Sequence, residues 1–179
     1  MKAIVYTSNT GSTAQYAKML GHELGISVYR VDEAKRIVPA GAEILYLGWV
    51  MASSIKGYAD IIKRYKVLAV CAVGMGQTGT QVKEIRAKNA IPNQIPLFTL
   101  QGNFDVAKLR GAYKLMMGLM VKTAGKALAD KADRTPEEDD MLDMMMNGGQ
   151  RVRFENLKAV IDWARDREHV SMEEVADFV

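Results

Sequence analysis

The sequence predicts an α/β protein: a parallel sheet of five strands wrapped on both sides by helices, followed by a helical extension. Three observations carry this. Short apolar runs alternate with helical patterns across residues 1–104. The run "KVLAVCAVG" (66–74) is continuously apolar, which implies cover on both faces and so a place inside a parallel sheet. Beyond residue 104 the strand signals stop and helical patterns alone remain.

Each element follows from its local pattern. "KAIVY" (2–6) is a short apolar strand, and a hydroxyl-rich turn separates it from a helix over 13–24 with Ala14, Ala17 and Leu20 on one side. "SVYRV" (27–31) alternates and reads as a strand at or near an edge. "AEILYLGWV" (42–50) is a longer buried strand. The helix after it, over 57–65, presents Tyr58, Ile61, Ile62 and Tyr65 on one face. After the strand 66–74 come a short helix over 80–88 and a two-proline loop. "PLFTLQG" (96–102) is the fifth strand. Helices are then expected over 105–127, 136–146 and 153–167, with "NGG" (147–149) as a break. "SMEE" (171–174), at capping-box spacing, is expected to start a last short helix. The 179 residues read as one domain, 1–104 forming the sheet core and 105–179 packing on it.

Composition narrows the function classes. Apolar residues make up 49% and charged residues 25% of the chain, an ordinary globular profile. No apolar run reaches the roughly 18 residues of a membrane span, and the N-terminus has no signal-peptide pattern. The single cysteine, Cys71, lies in an apolar run and reads as a buried small hydrophobe, which suits a cytoplasmic location. His22 and His169 have no cysteine companions at zinc-site spacing. Residues 1–104 carry 12 Lys and Arg against 6 Asp and Glu, a net of +6; residues 105–179 carry 12 against 15, a net of −3. Neither part shows the basic clusters with interleaved aromatics that nucleic acid would require.

The turn "TSNTGST" (7–13) carries the chemistry. A turn entering a helix leaves backbone N–H groups without partners at the positive end of the helix dipole, which makes an anion site. Hydroxyls of Ser8, Thr10, Ser12 and Thr13 would add donors, and Gly11 would let the backbone approach a phosphate closely. One helix cap needs one hydroxyl, from Thr10 or Ser12; this turn has five, counting Thr7. The turn has no lysine or arginine, which argues against the Gly-Lys-Ser/Thr loop of nucleoside triphosphate chemistry. A phospho-receiver domain needs an aspartate at the end of the third strand, and residues 47–54 contain no acid.

"SNTGST" (8–13), directly after the first strand, resembles the flavodoxin phosphate loop, Ser/Thr-x-Thr-Gly-x-Thr, with Ser8, Thr10, Gly11 and Thr13 at the matching positions. The segment "LQGNFDVAKLRGAYKLMMGLMVK" (100–122) looks more like a flavodoxin-domain subgroup that includes menaquinone-dependent protoporphyrinogen dehydrogenase. The resemblance implies a flavodoxin-like three-layer sandwich with strand order 2-1-3-4-5 and one non-covalently bound FMN. It implies that Ser8, Asn9, Thr10, Gly11, Ser12 and Thr13 hold the phosphate. Two further loops would hold the ring: Gly48, Trp49, Val50, Met51, Ala52 and Ser53, and Gly74, Met75, Gly76, Gln77, Thr78 and Gly79. Trp49 is either a stacking partner for the ring or a core tryptophan. Ser53 and Ser54 are candidates to bond ring edges, and "QGNF" (101–104) ends on the same side of the sheet. No residue stands out as catalytic and none as a metal ligand.

The implied function is electron transfer between protein partners, a reductase and an electron acceptor. The alternatives are an FMN-dependent oxidoreductase acting directly on a tetrapyrrole or quinone, and a flavin-free interaction module. Seven of the 12 methionines fall between Met116 and Met146. On the helix expected over 105–127, Val106, Leu109, Tyr113, Met116, Met117, Met120 and Val121 form an apolar stripe among Lys108, Arg110, Lys114 and Lys122. This stripe reads as packing against the sheet, as an adaptable docking surface for which Met141, Met144, Met145 and Met146 are further candidates, or as peripheral membrane contact. "EEDD" (137–140) reads as the acidic first turn of a helix after Pro136.

Overall fold

A computed structural model describes residues 1–104 and 111–176; at positions 112, 113, 116, 117 and 168–176 it describes the backbone alone. The chain is an α/β sandwich in the flavodoxin-like arrangement. Its strands are β1 (Ala3–Thr7), β2 (Val28–Arg30), β3 (Glu43–Met51), β4 (Ser54–Ile55), β5 (Lys66–Gly74) and β6 (Leu97–Gln101). The five parallel strands lie in the order β2-β1-β3-β5-β6, which is the expected 2-1-3-4-5 pattern. The difference is β4, a two-residue strand that folds back antiparallel on the end of β3.

The helices are α1 (Ser12–Leu24), α2 (Val31–Ile37), α3 (Tyr58–Arg64), α4 (Val82–Lys88), α5 (Gly111–Ala129), α6 (Pro136–Asn147) and α7 (Lys158–Ala176). Alternation along the strands divides the core into two. Ile44, Tyr46, Val70 and Ala72 face one way and pack with Ala34, Tyr58, Ile61 and Ile85 from α2, α3 and α4. Leu45, Leu47, Ala69 and Cys71 face the other way and pack with Tyr16, Ala17 and Leu20 of α1 and with Leu157, Val160 and Ile161 at and beyond the start of α7. The α7 segment is therefore a part of the second helical layer.

Several expectations change. Helix α2 is absent from the sequence reading because seven residues that bury one side chain, Ala34, give no periodic signal. Ile62 is 47% exposed, so the buried face of α3 is Tyr58 and Ile61. No new helix begins at "SMEE": the backbone of α7 runs through it unbroken, after a short 3-10 turn at Phe154–Leu157. The start of the helix expected from 105, with Val106, Lys108, Leu109 and Arg110, lies outside the described residues, as do the side chains of Tyr113, Met116 and Met117. In α6, Met144 and Met145 are buried and Met146 is exposed, so the first two offer no docking surface. The acidic residues 137–139 occupy the first turn of α6, where Thr135 and Glu138 form a reciprocal capping box. No described helix is long and apolar enough to cross a membrane.

Candidate functional site

Strand β1 ends in the hydroxyl-rich turn at the carboxyl edge of the sheet, where ligands bind in open α/β folds. Gly11 precedes α1 at φ 105°, a left-handed conformation that glycine adopts without strain. No side chain caps the helix, so neither Thr10 nor Ser12 serves as an N-cap. The first-turn amides therefore keep their donor capacity and the dipole its positive end.

The five hydroxyls divide by role. The Tyr46 hydroxyl lies 2.6 Å from the Lys56 carbonyl and 2.9 Å from Thr7 Oγ1. Its single proton goes to the carbonyl, so Thr7 donates to the phenol oxygen and is committed to the fold. Burial raises the Tyr46 pKa to about 12. Ser12 Oγ accepts the Asn103 N–H at 3.0 Å and keeps its own O–H as a donor at the cleft. Ser8 differs: its Oγ is buried with no hydrogen-bond partner among the described residues. A buried hydroxyl left unpaired is costly and calls for an explanation. Thr10 and Thr13 line the cleft beside it.

The second loop is a tight hairpin. Met51 pairs with Ser54, and the two residues between them, Ala52 and Ser53, both have positive φ, at 48° and 58°. This is the twist of a type I′ turn, adopted here without glycine or asparagine. The side chain of Asn89 holds it. Asn89 Oδ1 accepts the Ile55 N–H at 2.8 Å, and its Nδ2 donates to the Ser53 and Ile85 carbonyls, each at 2.7 Å. Ser53 Oγ donates to Glu84 on α4, so this hydroxyl is already engaged. Ser54 sits in β4, pairing with Met51. Gly48 is buried beneath this hairpin, close to Ile55.

The third loop folds back over β6. Thr78 Oγ1 accepts the Gln101 N–H at 3.0 Å, and the Gly79 N–H reaches Thr99 Oγ1 at 3.1 Å. Thr78 and Gly79 thus fix the loop, while Gly74 and Met75 face the cleft.

The three loops and the end of β6 enclose a cleft of about 650 Å³, including space open to solvent. Asn9, Thr10, Ser12 and Thr13 form one side, and Trp49, Val50, Met51, Gly74 and Met75 the other. Val73, Gly102, Asn103 and Phe104 complete it. Trp49 is half-buried at this cleft and lies outside both core clusters, with Lys56 Nζ 5.9 Å from its ring centre. Ala52, Ser53, Gly76 and Gln77 line an adjoining chamber instead, which Met120 and Met141 also reach. No charged side chain lines the cleft or the chamber among the described residues.

Sequence reasoning brought these loops together but missed the residues that brace them. Asn103 Oδ1 accepts the N–H groups of Arg151 (2.6 Å) and Val152 (2.9 Å) while its own N–H reaches Ser12, which ties the hydroxyl-rich turn to the returning chain. Asn89 and Asn103 carry no spacing signal, since their partners are 34 and 48 residues away in the chain.

This geometry defines a class, an α/β sandwich with a cleft at the carboxyl edge of its sheet, uncharged among its described lining residues, and an uncapped helix at one end of the cleft. No protein-family model matches the chain, and no curated protein matches it.

Proposed function

We propose that the cleft binds FMN and that the protein transfers electrons between redox partners. The observation that carries this is the buried, unpartnered Ser8 Oγ beside an uncapped helix N-terminus. Donors so placed support an anion site, and the motif around them resembles the flavodoxin phosphate loop. Ser8, Thr10, Thr13 and the first-turn amides of α1 would hold the phosphate with neutral donors. Gly11 keeps the approach open, since a Cβ there would meet nothing within 4 Å but would be strained at its φ. Trp49 would offer an aromatic face to a flat conjugated ring. A bound flavin supplies reversible one- and two-electron transfer; the chain supplies binding, orientation and exclusion of water.

The test compares FMN with riboflavin, which lacks the phosphate. Each charge-assisted hydrogen bond lost contributes on the order of 1.5–3 kcal/mol, so FMN is expected to bind at least a hundredfold more tightly. Ser8→Ala and Thr10→Ala should each narrow that gap. Equal affinity for the two flavins refutes the assignment. A second reading, direct oxidoreduction of a small molecule, is favoured by the chamber that adjoins the cleft.

A further inference from the structure

The chamber shares Val50, Met51, Gly74 and Met75 with the cleft, so the two are continuous. It encloses about 1120 Å³, including space open to solvent. Its walls come from both parts of the chain: the β3–β4 hairpin and the loop after β5 on one side, Met120 of α5 and Met141 of α6 on the other. The floor is apolar, from Ala72, Ile85 and Leu100. Polar groups are few and neutral, Ser53, Gln77, Thr80, Gln81 and Thr99, and several are already satisfied. Thr80 Oγ1 donates to the Gln77 carbonyl at 2.7 Å, Thr99 Oγ1 donates to the Thr80 carbonyl at 2.8 Å, and Ser53 is held by Glu84.

An adjoining hollow that shares Met75, Gln77 and Met141 is edged by Glu137, Glu138 and Asp140. Lys131 bonds both oxygens of Glu138 at 2.7 Å, and Arg151 lies 3.2 Å from Asp140, so these two acids and two cations are paired with each other. An anionic ligand entering the chamber would lose its hydration without meeting a cation among the described lining residues.

From this we infer that the chamber is a binding site for an uncharged, apolar ring-bearing molecule, held beside the cofactor cleft and closed on its outer side by Met120 and Met141. The inference rests on the proposed FMN reading for what occupies the neighbouring cleft. Methionine suits such a wall, because its unbranched, polarizable side chain adapts to flat apolar surfaces. The site excludes molecules that carry carboxylates, and so selects by charge as well as by shape.

Two probes that share one ring skeleton test this: N-phenylnaphthylamine, which is neutral, and anilinonaphthalene sulfonate, which carries one negative charge. Binding is measured by equilibrium dialysis against the full chain with and without FMN, a readout that flavin quenching does not disturb. The neutral probe is expected to bind the FMN-loaded protein with one molecule per chain, at least about tenfold more tightly than the sulfonate. Met141→Glu should weaken the neutral probe about tenfold, and Met141→Lys should raise affinity for the sulfonate, both with FMN affinity unchanged. Three results overturn the inference: neutral-probe binding that FMN abolishes, equal affinity for the two probes, or probe affinities unmoved by both Met141 substitutions. If FMN does not bind but the neutral probe does with this selectivity, the cofactor reading fails and the chamber stands. If FMN binds and the neutral probe is not taken up, the chamber fails and the cofactor reading stands.

Discussion

Replacing Gly57 with alanine is expected to destabilise the protein by about 3–5 kcal/mol, and the same change should cost far less once Tyr46 is phenylalanine. Two terms produce the first figure. Gly57 precedes α3 at φ 87°, where an L-residue is strained by roughly 1–2 kcal/mol. An added Cβ would also collide with the Tyr46 hydroxyl and stand 2.8 Å from Thr7 Oγ1. That phenol is fully buried and cannot retreat without giving up its bonds to the Lys56 carbonyl and Thr7. Losing the pair and leaving a buried acceptor unmatched costs about 2–3 kcal/mol more. Tyr46→Phe alone removes the same bonds, so its own cost should be similar. In that background Gly57→Ala meets no hydroxyl and Thr7 is free to turn away, which leaves the strain term of roughly 1–2 kcal/mol. A double-mutant cycle in urea should therefore show coupling of about 2 kcal/mol, with the double variant more stable than the sum of the singles predicts. Additive effects would refute the account, because they would mean that the close approach of Gly57 to the phenol contributes nothing.

Alkaline pH gives an independent reading of the same tyrosine. Its folded-state pKa of about 12 lies above the ordinary value of 10, so its contribution is complete below pH 10 and is lost as pH rises toward 12. The loss is about 2–3 kcal/mol, and the slope of unfolding free energy against pH in that window should flatten in Tyr46→Phe. Asn89→Ala should destabilise by about 2–3 kcal/mol by leaving the Ile55 N–H and two carbonyls without their partner, and amide exchange at residues 52–55 should accelerate before the rest of the sheet. Unchanged exchange there would mean that the hairpin holds its two positive-φ residues unaided. Trp49→Ala should weaken FMN binding by more than it lowers the urea midpoint, because Trp49 lines the cleft. A large fall in stability with unaltered affinity would make Trp49 a packing residue.

What could be read in the sequence was local and periodic. The strand 66–74 was legible because seven consecutive residues, Val67 to Val73, are apolar and all are buried. The edge position of β2 was legible from its alternation, and the turn between β1 and α1 from its density of hydroxyls. Helix α2 was not legible, since a helix that buries one alanine looks like a loop. The division of labour among the five hydroxyls was also hidden. Thr7 and Ser12 look equivalent to Ser8 in the sequence, and only their distant partners, Tyr46 and Asn103, set them apart. The Met-rich segment was ambiguous for a related reason. Consecutive methionines on a helix point in different directions, so Met144 and Met145 are buried while Met146 is 65% exposed.

The region after β6 bears on the site more directly than its lack of strands suggests. Phe104 pairs with Gly149 in an antiparallel bridge, which brings the returning chain alongside the end of β6. From there Arg151 and Val152 donate to Asn103, and Arg151 pairs with Asp140 and Asp143 of α6. Asn156 Nδ2 donates at 2.7 Å to the Tyr16 hydroxyl, which itself donates at 2.6 Å to the Gln101 carbonyl. Tyr16 lies on α1, one turn after the hydroxyl-rich turn. The same residues that finish the second helical layer thus hold α1 and the end of β6 together at the mouth of the cleft. Burial of Leu157, Val160 and Ile161 supplies the stability, and the asparagine-centred bonds supply the register. Such a network fixes the uncapped end of α1 relative to the end of β6 and the returning chain. Preorganisation of that kind spares binding the cost of ordering the loops, which is what the proposed phosphate site would need if neutral donors alone are to hold a charged group there.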